Sequence, residues 1–347
     1  MLFRSGYEAT HEPLTQARRN LVYELRRFER FRSRFTIDVV SSYYDLVVAK
    51  RRVRNAEANL ERFAFLRKRS EALFDADKAT ALDIFRSRQE ELTAQNNLIR
   101  EKQSVANALD RFKLQLGIPT AADLDVTIVE PPFRPVDVNA ESAVKVALAN
   151  RLDLRIAVDE VADAERKARI AKQFLLPELT LDVDHDLSSL PGANVGHLRN
   201  DEGRTRVGAS LDLPLDKTPE RNAWQRSKIT VQRARRTLEE RRDEIRNEVL
   251  RFLRDLNTAA NTVTIQQQAR EIAKKRLENA RILFEIGSGP NRDVVEAQQA
   301  LLNAQNAYIR ALADYEVSRL QLLRSLDLLF IRPDGMWVED VRELVGG

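Results

Sequence analysis

FEIGSGPNRDVVEAQQALLNAQNAYIR, residues 284–310, breaks one very long helical pattern at a glycine- and proline-bearing tip and starts another. The same design stands earlier as FDADKATALDIFRSRQEELTAQNNLIR, residues 74–100, at a constant offset of 210 residues. Without a gap, Leu73-Phe74 pairs with Leu283-Phe284, Asp83 with Asp293, Gln89 with Gln299, Ala94-Gln95-Asn96 with Ala304-Gln305-Asn306, and Ile99-Arg100 with Ile309-Arg310. Upstream the offset persists from Arg26/Arg236 through Asp45-Leu46/Asp255-Leu256 to Glu61/Glu271. The chain is therefore a duplication of one helix–tip–helix unit, and an internal repeat settles architecture before any single element does.

Composition agrees with extended helices rather than compact globules. Of 347 residues 32% are charged and only 6% aromatic, with 11 Gly and 11 Pro. Neither Gly nor Pro occurs between Pro13 and Gly117, and from Asp216 to Ile286 Pro219 is the sole interruption. Without breakers, helices can exceed the usual length; at about 1.5 Å per residue, 14–74 spans roughly 90 Å and 220–286 roughly 100 Å. The net charge of +4 and pI near 9.3 come from mixed-sign stretches such as 236–251, where Glu239, Glu240, Asp243, Glu244 and Glu248 interleave with arginines. Such a stretch is a solvated helix face, and no basic patch is interleaved with aromatics, which disfavours nucleic acid. There is no cysteine, hence no disulfide, thiolate metal site or cysteine nucleophile. No run of about 20 apolar residues suits a transmembrane helix, and MLFRSG is not a signal peptide. Under the offset Met1 corresponds to Leu211, so the chain is expected to be N-terminally incomplete, lacking the first copy's equivalent of 142–210.

The expected organisation, taken in order, is an irregular remnant at 1–13, a first helix–tip–helix repeat at 14–116, and a proline-punctuated equatorial segment at 117–141 with Val126–Val129 as a candidate short strand. A helix over 142–176, a β-hairpin over 177–214, the second repeat over 219–329 and an equatorial tail over 330–347 follow. Thr80-Ala-Leu-Asp83 reads as a capping box, and Gly117 with Pro119 stops the helix behind it. In the last helix Val294, Ala297, Leu301, Ala304, Tyr308, Ala311, Tyr315, Ser318 and Leu322 recur at alternating spacings of three and four, a coiled-coil period whose small residues permit close approach.

At Glu178 the period changes to two. Leu179, Leu181, Val183 and Leu187 fall on one face and Glu178, Thr180, Asp182, Asp184 and Asp186 on the other, with His185 interrupting the apolar side. After a polar loop, 188–203, Val207, Ala209, Leu211 and Leu213 alternate with Arg206, Gly208, Ser210 and Asp212. Two readings stand open. One is a soluble hairpin with a face on a core; the other is a pair of tilted membrane strands with lipid on one side and a water-filled lumen on the other. Aspartates toward water cost little, whereas in a core they are expensive.

Several motifs resemble the outer-membrane efflux proteins of the TolC type: F-x-x-G-x-x-x-x-x-D-V-V-x-A-Q-x-x-L-x-x-A at 284–304, its weaker copy at 74–94, N-R-x-D-L at 150–154, and L-P-x-L-x-L at 176–181. The resemblance covers essentially the whole chain. It implies a mainly α fold of very long antiparallel coiled-coil helices, an α-barrel protomer, with a transmembrane β-hairpin contributing to a trimeric β-barrel. It implies a homotrimer in the outer membrane that extends into the periplasm, with Leu181, Val183, Val207 and Leu211 facing outer-membrane lipid. Docking at the helical tips to a periplasmic adaptor, coupled to an inner-membrane pump or ABC exporter, falls on Asp77, Lys78, Gly287, Ser288, Gly289 and Arg292. The acidic closure of the duct falls on Asp293 and Glu296, where three copies of each carboxylate around an axis form a cation-selective constriction. Asp293-Val-Val-Glu296 also reads simply as a capping box with Asp293 as N-cap. The first tip departs from the family in carrying Asp77 and Lys78 where glycine is preferred, and Gly289 stands where one member type has a locking arginine.

The expected function is a passive export duct for small molecules or proteins, part of a tripartite efflux or type I secretion system, with no cofactor, no metal and no catalytic residue. Competing readings are a coiled-coil scaffold without a membrane hairpin and a periplasmic adaptor. The adaptor would carry β-rich lipoyl-like segments, which this sequence does not show. An enzyme is disfavoured because His11, His185 and His197 lack ligand spacing and no phosphate loop or nucleophile motif occurs.

Overall fold

The computed structural model describes residues 6–136, 138–186, 204–213, 216–332 and 334–339. Where breakers are scarce, the backbone is helical: α1 (Tyr7–Asp75) has 69 residues and α5 (Thr218–Glu285) 68, each roughly 100 Å long at 1.5 Å per residue. Across their tips follow α2 (Ala81–Gln115) and α6 (Asn291–Ser325), 35 residues each. Between the repeats lie α3 (Ala140–Asn150), α4 (Leu152–Gln173) and the antiparallel pair β1 (Glu178–Asp186) and β2 (Arg204–Asp212). A short antiparallel pair, β3 (Leu329–Ile331) with β4 (Trp337–Glu339), follows α6.

The duplication extends to backbone conformation. At the first tip Asp77 has φ 56°, with its N–H to Phe74 O and that of Lys78 to Leu73 O; at the second, Gly287 has φ 74°, with its N–H to Phe284 O and that of Ser288 to Leu283 O. The far ends of α2 and α6 repeat the pattern, Gly117 (φ 70°) and Asp327 (φ 53°) being the left-handed residues. Each helix end satisfies its last carbonyls with the same doubled turn. Glycine supplies it in one copy and aspartate, which tolerates this conformation better than most residues, in the other.

Three expectations are corrected. Residues 7–13 are helical, with Pro13 inside α1. Proline there removes a helical hydrogen bond, but Glu12 and Gln16 on the flanking turns hold Arg166 of α4, which anchors this end. The helix expected over 142–176 is two helices separated at Arg151 (φ −58°, ψ 121°), whose buried guanidinium donates to Glu248 at 2.6 Å and to Ser325 O at 3.4 Å. Val126–Val129 is extended but not a strand. Its partner is a side chain: the Tyr43 hydroxyl donates to Thr127 O (3.0 Å) and accepts from Val129 N (3.2 Å). The polar loop 188–203 lies outside the described residues.

The chain divides into two compact units. One comprises 1–28 with 152–244 and is held by a charged hub. The Asp163 carboxylate accepts from the Tyr23 hydroxyl at 2.6 Å and from Arg166 Nη1 at 2.7 Å, and pairs with Arg19 Nε. Arg166 also forks onto Glu12, while Asp159 takes Arg19 (3.2 Å) and Arg26 (2.6 Å). Burial pushes the Asp163 carboxyl up, but the bonds from Tyr23 and Arg166 and the charges of Arg19 and Arg166 together outweigh it and hold the group below its usual value.

The other unit comprises 29–151 with 245–347 and contains both tips. Its apolar packing includes Phe63, Leu66, Leu277, Phe284, Val294 and Leu301 towards the tips and Leu46, Ala49, Ala108 and Phe112 further along. Towards β3 and β4, Tyr315 is buried against Phe133 (ring centroids 5.0 Å apart) and donates to Arg134 O at 2.6 Å. Arg319 clamps Glu316 and Glu339, tying β4 to α6, and Ser33 and Arg32 donate to the β3 carbonyls of Leu329 and Ile331.

Candidate functional site

Two features carry the candidate chemistry, the tip of the second repeat and the hairpin. At the tip, Pro290 is the N-cap of α6, has an extended backbone and makes no side-chain cap bond, so Asp293 is the third helical residue. This corrects the capping-box alternative for Asp293. The first copy shows what differs: Thr80, at the position equivalent to Pro290, exchanges bonds with Asp83 in a complete capping box (Thr80 N to Asp83 Oδ2 3.1 Å, Asp83 N to Thr80 Oγ1 3.3 Å). Proline has neither hydroxyl nor N–H, so the Asp293 carboxylate is left exposed in the first turn, where the helix dipole favours it. Glu296, one turn on and also exposed, accepts from Arg292 Nε at 2.6 Å and lies 3.7 Å from Arg276. The bond from Arg292, and then its charge, hold the Glu296 carboxyl below its usual value.

The remaining tip residues form the turn itself. Gly287 needs its positive φ, and Gly289 needs its missing side chain, because a Cβ there would stand 2.9 Å from Leu283 Cβ. An open groove of about 630 Å³ runs past this turn, lined by Lys275, Arg276, Asn279, Leu283, Gly289 and Asp293 among others. Asp77 and Lys78 occupy the equivalent turn of the first tip, and both are exposed.

The sequence reading missed the group that joins the two tips. Asn291, 1% exposed, donates from Nδ2 to Ser87 Oγ (2.7 Å), Ser70 Oγ (3.1 Å) and Asp83 O (3.1 Å), and the two serine hydroxyls lie 2.9 Å apart. Asn291 Oδ1 is buried without a hydrogen-bond partner. A sequence signal was present: Ser70, Ser87 and Asn291 stand where the other copy has Ala280, Ala297 and Ala81.

In the hairpin, β1 and β2 pair in register from Glu178↔Asp212 to Asp186↔Arg204. Leu179, Leu181 and Val183 therefore stand opposite Leu211, Ala209 and Val207, and Leu181, Val183, Val207 and Leu211 are all exposed. On the other face Thr180 meets Ser210, Asp184 meets Arg206 and Asp186 meets Arg204. His185 Nδ1 lies 2.8 Å from Thr205 Oγ1, so the residue that interrupts the apolar side faces a hydroxyl on the neighbouring strand. Among the described residues no helix is long and apolar enough to cross a membrane.

The outer membrane efflux protein profile matches residues 143–327, from α3 through the hairpin to the end of α6. The chain belongs to the outer membrane efflux protein family. Its relatives include nodulation protein T of Rhizobium leguminosarum bv. trifolii, 24% identical over 292 residues (81% of this chain, 60% of that protein). Another is the pyoverdine export outer membrane protein OpmQ of Pseudomonas aeruginosa, 23% identical over 313 residues (87% and 61%). The chain thus spans about three-fifths of the length of these curated relatives. Among solved structures, the outer membrane protein VceC of Vibrio cholerae superimposes with a TM-score of 0.74 at 16% identity, covering 89% of this chain and 74% of that one. At that identity the likeness speaks for the fold, which is the long-helix architecture of the outer membrane efflux family. Family membership also gives the location, the cell outer membrane with helices extending into the periplasm.

Proposed function

We propose that this chain is the duct of an efflux or type I secretion assembly: a homotrimer whose hairpins join in one outer-membrane barrel, through which small molecules or proteins leave passively. The observation that carries the reading is the register of the hairpin. It gathers Leu179, Leu181, Val183, Val207 and Leu211 on a single face and the charged and hydroxyl residues on the other, over nine residues per strand. Nine residues suit a tilted strand crossing a bilayer. The apolar face meets lipid, and the face bearing Asp184, Arg206, Asp186 and Arg204 lines water.

On this reading the tips, at Asp77, Lys78, Gly287, Ser288, Gly289 and Arg292, receive a periplasmic adaptor that links the duct to an inner-membrane pump or ABC exporter. Asp293 and Glu296 constrict it. Support for the constriction lies in the exposure of both carboxylates one helical turn apart, Asp293 having no cap bond from Pro290. No chemical step is assigned to the protein.

The test is depth. Spin labels at Leu181, Val183, Val207 and Leu211 in the protein reconstituted in bilayers are expected to collide with oxygen and to be shielded from water-soluble relaxation agents, with labels at Thr180 and Ser210 showing the opposite. The reverse pattern would remove the hairpin from the membrane and with it the duct.

A further inference from the structure

The far end of α6 has its last four carbonyls already bonded. Leu322 O accepts from Leu326 N (3.1 Å) and from the Ser325 hydroxyl (2.7 Å), Leu323 O from Leu328 N (3.0 Å), and Arg324 O from Asp327 N (3.0 Å). Ser325 O takes Arg151 Nη1 at 3.4 Å. Arg324 stands in this last turn, where a cation ordinarily finds its acceptors among the terminal carbonyls. Other donors hold them here. Its half-buried guanidinium makes no hydrogen bond or ion pair among the described residues.

Three more arginines gather around it. Arg151 reaches the same helix end from the break between α3 and α4, is 3% exposed, and is bonded to Glu248 at 2.6 Å. Arg30 and Arg34 come from α1, which is fastened to the chain just beyond α6 by Ser33 Oγ to Leu329 O (3.2 Å) and Arg32 Nη2 to Ile331 O (2.9 Å). Four residues apart, they share one helix face, a spacing at which like charges repel. Arg34 is exposed and, like Arg324, makes no hydrogen bond or ion pair among the described residues, although Asp38 stands one turn away. Burial lowers the Arg324 pKa; the charge of Glu248 opposes this, and those of Arg30, Arg34 and Arg151 add to it. The carboxylate that bears on Arg324 is thus the one that Arg151 already holds.

This gathering of charge is not inherited from the duplication. At the offset of 210 residues Arg30 corresponds to Glu240, Arg34 to Glu244 and Arg324 to Leu114. One copy alone brings cations together at this place. A partly desolvated charge among like charges is costly until an opposite charge joins it.

We propose that Arg324 and Arg34 bind a small oxyanion of the phosphate or sulfate class between the end of α6 and α1, with Arg30 and Arg151 adding positive potential around it. Guanidinium forks match the oxygens of such an ion two at a time. A doubly charged ion relieves the mutual repulsion of the arginines more fully than chloride does. The half-burial of Arg324 limits the occupant to one small group. Bound there, the ion ties α1 to α6 where no side-chain carboxylate does so, and this holds whether or not the chain is a duct.

The test is calorimetric titration of the full chain in detergent with inorganic phosphate, against chloride of equal ionic strength. The expected result is one ion per chain, held about tenfold more weakly in Arg324→Gln or Arg34→Gln, the scale of one charged hydrogen bond. Arg54→Gln, at an exposed position elsewhere on α1, should bind as the wild type does. Thermal unfolding at low salt gives a second readout. Without phosphate Arg324→Gln should melt no lower than the wild type, because repulsion is relieved, and phosphate should raise the melting temperature of the wild type in a saturable way that the variant lacks. Stabilisation by exclusion of the ion from the surface does not saturate and is common to all variants. Absence of binding to the wild type, or equal binding by all variants, would overturn the site. A lower melting temperature of Arg324→Gln without phosphate would overturn it as well, since the guanidinium would then be held by the protein itself.

Discussion

Asn291 Nδ2 lies 2.7 Å from Ser87 Oγ, across 204 residues of sequence, and this bond fastens the second tip to the first. Because the group is buried, removing one partner strands the other. Asn291→Ala or Ser87→Ala should each lower stability by about 1–3 kcal/mol. With Ser70→Ala and Ser87→Ala already in place, Asn291→Ala should cost far less, since nothing polar is then left stranded. A urea-unfolding double-mutant cycle measures the coupling, and additive effects would contradict it.

The left-handed residues at the tips give opposite outcomes for reciprocal substitutions. Asp77→Gly relieves a non-glycine residue at φ 56° and should gain about 0.5–1 kcal/mol, whereas Gly287→Asp at φ 74° should lose a similar amount. Gly289→Ala should destabilise the second tip for a different reason, the 2.9 Å approach to Leu283. Hydrogen exchange at the tip amides reads each change locally.

Asp163 makes the 1–28/152–244 unit sensitive to acid. Its folded-state carboxyl lies below its unfolded value, so its contribution is present above the unfolded pKa of about 3.9 and lost as pH falls through the folded value. Stability of the wild type should therefore fall below about pH 4. In Asp163→Asn that part of the slope should be absent and stability at pH 7 lower by about 1–3 kcal/mol, with Tyr23 and Arg166 deprived of a charged acceptor. Chemical unfolding across pH 3–7 measures both.

Replacing Asp293 and Glu296 by Ala should weaken block of the reconstituted channel by multivalent cations, as expected when a ring of carboxylates is removed. Arg292→Ala, which frees Glu296 from its 2.6 Å partner, should strengthen the block. Single-channel conductance is the measurement, and unchanged block in all variants would take these residues out of the constriction.

Val183→Arg should hinder insertion by about 2–4 kcal/mol if the strand crosses the bilayer midplane at that point, while a change at the oppositely facing Asp184 should leave insertion nearly unaffected. Partitioning into lipid vesicles distinguishes the two faces.

Periodicity and punctuation along the chain were enough to specify the long helices, the tips, their duplication and the two faces of the hairpin. Each depends on neighbours a few residues apart: the absence of Gly and Pro from 14–75 and 220–285 permits the length of α1 and α5, Thr80 and Asp83 close a cap between residues three apart, and alternation at Glu178–Asp186 sorts side chains by face. What tertiary structure alone decided lies between residues far apart. It broke the predicted helix at Arg151, because that guanidinium is drawn into the interior towards Glu248 and Ser325. It kept Pro13 within a helix, because Glu12 and Gln16 grip Arg166. It let Tyr43 take the place of a strand partner for Thr127 and Val129, and it buried Asn291 between two serines. A local pattern encodes backbone conformation and the side a residue faces. The partner of a buried polar group is set by which distant segment packs there, and no spacing along the chain records that.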